Sequence, residues 1–225
     1  VIADPGLQPA AIALDSNLLQ GMPRGITAAT GMDALTHGIE AYISRWDRGN
    51  TQQMSGDAVK LIYEHLQSAC DNGANLAARD ALAIAAYYAG IAINQVNVGN
   101  VHAIAHQLGA KYGVPHGVAN SLVLPHVLQL SRPSADQLLA QLARNCKMGK
   151  PDDSDAELAS EFIQGIVRLR ANIGMPDVAV DLRVADFPEL IQRAVEEGDA
   201  YPSPVFFTET EVESVLRSLL PSSEQ

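Results

Sequence analysis

Residues 27–42, TAATGMDALTHGIEAY, and residues 100–109, NVHAIAHQLG, decide how this chain reads. Both are rich in Ala, Leu and Ile, and neither alternates with the period of two that a half-buried strand requires. Their polar residues instead recur every four positions: Asp33 with His37, and His102 with His106. On a helix, residues i and i+4 share a face, with Cβ atoms roughly 5–6 Å apart. A further imidazole, His116, follows in VPHG, residues 114–117. Two such pairs and a fifth side chain, carried by packed helices, can converge on one divalent cation.

Outward from these stretches the chain reads as all-α, a helical bundle-like domain. Of its 225 residues 47% are apolar and only 5% aromatic, a mixture better suited to packed helices than to a β-sandwich. Periodicity and punctuation predict helices near 26–45, 52–72, 76–95, 100–112, 117–131, 135–147, 154–172, 186–197 and 209–220. Ser154 with Glu157, and Thr208 with Glu211, have capping-box spacing ahead of apolar runs. Gly73 and Gly174 stand where a left-handed residue closes a helix. Residues 147–155, KMGKPDDSD, are the most linker-like. Residues 200–207, AYPSPVFF, carry two prolines and are expected to be non-helical. One short strand is expected at 10–14, AAIAL, with no visible partner.

A net charge of −11, without a Lys/Arg cluster, argues against nucleic acid as a partner. The longest apolar run, residues 81–93, falls short of a membrane span and contains two tyrosines. Cys70 and Cys146 lack CxxC spacing and read as free thiols of a reducing compartment, so a cytoplasmic location is expected. No GxGxxG or GK[ST] motif occurs, and no two glycines are adjacent, so no phosphate-cradling loop lies within these residues.

Each candidate ligand has a plainer alternative. Asp33 could be a salt-bridged or capping residue. An unpaired carboxylate entering an apolar helix face costs several kcal/mol, however, and a cation removes that objection. His102 alone would read as a satisfied core histidine; pairing with His106 strengthens the ligand reading, although HxxxH spacing also arises by chance. His65 and His126 have no partner at ligand spacing and are assigned surface or packing roles. Imidazoles and one carboxylate without thiolate suit Zn²⁺, Fe²⁺, Co²⁺ or Mn²⁺. A helical metal hydrolase and a non-catalytic metal-binding module are the competing functions. An adjacent His-Asp pair and HExxH, which two hydrolase classes need, are both absent.

The stretches TAATGMDALTHGIEAYIS and NVHAIAHQLGAKYGVPHGVANSLVLPHV resemble the two signatures of the iron-containing (group III) alcohol dehydrogenases, within the dehydroquinate synthase-like superfamily. DPGLQPAAIALDSNLLQGMP and DAYPSPVFFTETEVESVLRSLL extend the resemblance over essentially the whole chain. It implies Fe²⁺, or Zn²⁺, held by Asp33, His37, His102 and His116. His106 becomes a candidate proton relay beside substrate and nicotinamide. The implied activity is reversible NAD(P)-linked oxidation of a small alcohol to an aldehyde or ketone. The implied architecture is a connecting segment, 1–22, containing the 10–14 strand, and an all-helical metal domain, 23–225. An N-terminal dinucleotide-binding domain, carrying the glycine-rich motif and completing the strand's sheet, is expected in the parent protein but not in this chain. Turnover is not expected from these residues alone. Assembly as a homo-oligomer stays open.

Overall fold

The computed structural model describes residues 5–7, 9–46 and 49–221. Eight α-helices follow in order: α1 Arg24–Tyr42, α2 Thr51–Asp71, α3 Leu76–Val96, α4 Asn100–Tyr112, α5 His116–Asn145, α6 Asp155–Asn172, α7 Phe187–Gly198 and α8 Glu209–Ser218. Short 3-10 turns sit at Pro5–Leu7, Ser16–Leu19 and Val184–Asp186. Among the described residues there is no strand. Residues 10–14 are exposed and irregular, because a lone extended segment has no ladder to satisfy its backbone groups.

The nine expected helices are eight because 117–131 and 135–147 are one helix, α5, that runs through Pro125 and Pro133. A proline inside a helix removes the hydrogen bond to the carbonyl four residues earlier. For Pro125 that carbonyl is Ser121's, which accepts a long bond from the buried Arg170 of α6, 3.4 Å from Nη1. For Pro133 it is Gln129's, on an exposed residue. Each break is therefore tolerated.

Both capping boxes form, Ser154 with Glu157 and Thr208 with Glu211. Gly174 takes the left-handed conformation, φ 79°, after α6. Gly73 does not. The turn after α2 is closed by Asn72, whose Oδ1 accepts from the Ala74 N–H, and Gly73 instead makes room for a side chain. That side chain is Arg79, 2% exposed, which donates to the carbonyls of Gly73 and Met22 and to Thr27 Oγ1. Arg79 thus ties the α2–α3 turn to the start of α1.

α1 lies at the centre, against α2, α3 and α5. Its Gly31 is there for α2: a Cβ at that position would lie 2.3 Å from Leu66 Cδ1. Leu66 is fully buried and contributes about 1.5–3 kcal/mol. α4 packs on α5 and α7, and α5 on α6. The apolar stretch expected to stop short of a span belongs to the longer α3. By length and composition alone α3 could cross a membrane, and a third of its most apolar window is buried. Its apolarity is largely alanine, the residue that lets it lie close to α1 and α2. Cys70 and Cys146 are free, as expected, and both are buried. Burial pushes the Cys146 thiol up to about 12.

Candidate metal centre

Three helices supply the cluster. α1 presents Asp33 and His37 one turn apart, α4 presents His102, and α5 opens with His116. Gly113, in the left-handed conformation at φ 68°, ends α4, and Pro115 starts α5, so His116 returns toward the helix just left. One donor atom from each of Asp33, His37, His102 and His116 lies within 4.8 Å of all the others. Asp33 Oδ1 is 3.3 Å from His116 Nε2 and 3.9 Å from His102 Nε2, and Asp33 Oδ2 is 4.0 Å from His37 Nδ1. Ligands about 2.0–2.2 Å from a common ion stand at comparable mutual distances. His37 stacks on His102 with ring centroids 4.6 Å apart.

Two of the three imidazoles favour the neutral form that can bind a cation. His37 and His116 are held below the ordinary histidine value, chiefly by burial, with neighbouring imidazoles adding to it and Asp33 opposing. Neutral rings keep a lone pair available. His102, 1% exposed, is oriented by a residue the sequence reading passed over. Its Nδ1 lies 2.6 Å from Glu40 Oε2, and the same carboxylate accepts the N–H groups of Gly99, at 2.9 Å, and Val101, at 2.7 Å. Burial pushes His102 down, but the Glu40 carboxylate outweighs it and the net shift is upward. With Nδ1–H given to Glu40, His102 is left with Nε2 facing Asp33. Glu40 follows Asp33 by seven residues on one helix face, which was the available signal.

Asn120 was also missed, although it follows His116 by four residues. Its Nδ2 is 2.6 Å from Asp33 Oδ1 and 3.2 Å from Nε2 of both His102 and His116, and its buried Oδ1 faces no donor among the described residues. Around this point, then, one amide donor meets a converging set of acceptors. That imbalance, in a set of one carboxylate and three imidazoles, fits a divalent cation. The cluster is also one-sided: His102 forms its floor, while the His116 side chain is 46% exposed. An open side is what a catalytic centre needs and a closed structural one lacks.

His106 lies at the rim, 38% exposed, with its ring centroid 5.3 Å from that of His116. It stands beside the four clustered residues rather than among them. His65 and His126 lie outside the cluster, as expected.

Comparison with known proteins decides the lineage. The model of the Fe-containing alcohol dehydrogenase family, C-terminal, matches residues 27–220. This chain belongs to that family. The 1,3-propanediol dehydrogenase of Citrobacter freundii is 42% identical over 207 residues, covering 90% of this chain and 53% of the relative. The NAD-dependent methanol dehydrogenase of Bacillus methanolicus is 33% identical over 221 residues, covering 97% and 58%. Among solved structures, a 1,3-propanediol oxidoreductase superposes with a TM-score of 0.88 at 39% identity, covering 91% of this chain and 54% of that one. The iron-containing alcohol dehydrogenase of Thermococcus thioreducens gives 0.84 at 25% identity, covering 97% and 56%. The chain spans about half the length of the relatives it matches. The Asp33 cluster lies within the residues this family model matches.

Proposed function

We propose that this protein is the metal-bearing part of an NAD(P)-dependent dehydrogenase of small alcohols, with Asp33, His37, His102 and His116 holding Fe²⁺, or Zn²⁺. The observation that carries the proposal is the convergence of those four donors on one open-sided point. The named relatives act on propanediol and methanol, which makes a short alcohol or diol the proposed substrate. When bound, the cation supplies Lewis-acid polarisation of the substrate oxygen, and the nicotinamide supplies the hydride acceptor.

The residues of this chain do the rest. Glu40 holds the His102 ring in place from behind, so that Nε2 faces the cluster. The open side beside His116 admits the substrate oxygen. His106, at that rim, accepts the proton the alcohol loses and passes it to solvent, as a half-exposed imidazole can. The proposed grip on the nicotinamide lies in a dinucleotide-binding domain outside these 225 residues. Family membership favours this reading over a hydrolase or a purely structural metal module.

Elemental analysis of anaerobically purified parent protein, paired with NAD(P)-linked oxidation of 1,3-propanediol and methanol, tests it. About one iron or zinc per chain, with cofactor reduction, is expected. Metal-independent activity, or phosphate-ester hydrolysis without alcohol oxidation, overturns it.

A further inference from the structure

The side of His106 away from the open rim is held by a second carboxylate. Its Nδ1 lies 2.5 Å from Glu197 Oε1, in the last turn of α7. The same carboxylate accepts from Tyr201 Oη at 2.7 Å and Gln107 Nε2 at 2.8 Å. Glu197, on α7, therefore satisfies three donors, two from α4 and one from the segment after α7. That segment is itself pinned: Ser203 Oγ accepts the Asn100 N–H at 3.1 Å, and Asn100 Nδ2 donates to the Val205 carbonyl at 2.8 Å.

We propose that Glu197 is the positioning residue for His106, fixing the ring as its Nδ1–H tautomer so that Nε2 is the nitrogen left to take a proton from substrate. This rests on the dehydrogenase reading above and deepens it. An ionised carboxylate only accepts, so whichever ring nitrogen faces it must carry the hydrogen. An unrestrained histidine side chain prefers the opposite, Nε2–H, form. A ring in that form presents a donor where the reaction needs an acceptor. Tyr201 shares Oε1 with His106 and Gln107 holds Oε2, so the carboxylate cannot swing away without orphaning them. The Glu197 carboxyl is held below the usual carboxylate range: burial pushes it up, and the hydrogen bonds from His106, Tyr201 and Gln107 outweigh burial. It is ionised at neutral pH. When Nε2 gains the proton, the imidazolium stays paired with Glu197, and the proton then leaves from Nε2 to water. Atoms and charge balance without any further reagent.

Glu197 acts on His106 as Glu40 acts on His102, but the two rings face different tasks. Loss of Glu40 should show in metal affinity; loss of Glu197 should not.

The test uses the zinc-loaded full-length enzyme and ¹⁵N NMR of the histidine side chains. In wild type, His106 should show a protonated Nδ1 and a bare Nε2. In Glu197→Gln the Nε2–H form should gain population, and kcat for alcohol oxidation should fall about 10- to 100-fold, less than the roughly 10²–10⁴-fold a whole positioned acid–base group contributes, because the His106 ring itself stays. KM and zinc content should stay within about twofold, and Glu197→Asp should recover part of kcat and of the wild-type tautomer. A wild-type His106 found as Nε2–H overturns the proposal without any variant. So does a Glu197→Gln enzyme that keeps both tautomer and kcat, or one that loses zinc. An enzyme that oxidises no alcohol defeats the dehydrogenase reading, and the wild-type tautomer still decides the role of Glu197.

Discussion

Replacing Gly117 by alanine should damage the metal centre through the backbone, without touching a ligand. A Cβ on Gly117 would lie 2.1 Å from the Ala29 carbonyl oxygen and 2.6 Å from its carbon, with ordinary contact beginning only at 3.4 Å. Both atoms are main chain within α1, so no side-chain rotation relieves the clash. α5 must move from α1 by about 1 Å. Forced overpacking of this kind costs about 1–3 kcal/mol. For a chain of this size that lowers Tm by about 2–12 °C. Gly117 adjoins His116, while Asp33 and His37 ride on α1, so the same displacement pulls the donor set apart. Metal–ligand distances tolerate only about 0.2 Å, so affinity for Zn²⁺ should fall along with stability. Differential scanning fluorimetry and a chelator-competition titration measure the two effects. Gly90, with nothing within 4 Å of its would-be Cβ, is the control: Gly90→Ala in α3 should stabilise by about 0.5–1 kcal/mol and leave metal binding alone. A Gly117→Ala protein with wild-type Tm and zinc affinity would refute the close α1–α5 approach as the feature that sets the site.

Other outcomes follow from the same geometry. Glu40→Gln removes the carboxylate behind His102 and should weaken zinc binding about 10- to 100-fold; an unchanged dissociation constant would show that α4 orients the ring unaided. His116→Ala should lower metal content while His106→Ala keeps the metal and loses turnover, and equal metal loss in both would erase the division of roles. His126 is held below its ordinary value of 6.5 by burial and by nearby Arg170. The unfolded chain therefore takes up that proton first, so the contribution is intact above 6.5 and is lost as the pH falls from there toward the depressed folded value. Urea midpoints between about pH 7.5 and 5.5 should fall less steeply in His126→Leu than in wild type; parallel slopes would remove His126 from the account.

Much of this was legible in the chain itself. Local periodicity reports helices because it depends on neighbours three and four residues away, so the pairs Asp33/His37 and His102/His106 could be placed on single faces. Capping boxes were legible for the same reason. Pro133 misled, because whether a proline ends a helix depends on what donates to the freed carbonyl, and for exposed Gln129 that is solvent. Gly73 misled too: its backbone is not left-handed, and its smallness serves Arg79, whose reach to Thr27 spans 52 positions.

By itself the sequence determined the helical class, the residue types of the ligand set and the family. Only the tertiary structure decided which acids stand behind the rings. Glu40 meets His102 across 62 residues and Glu197 meets His106 across 91. No spacing rule connects residues so far apart along the chain. Their proximity is set by how α7 packs against α4 and how α5 seats α1 and α4 side by side, where glycine-scale contacts, buried leucines and a few shared carboxylates fix each helix's rotation and height. Rotate α7 by a quarter turn and the sequence pattern is unchanged, yet His106 loses its partner.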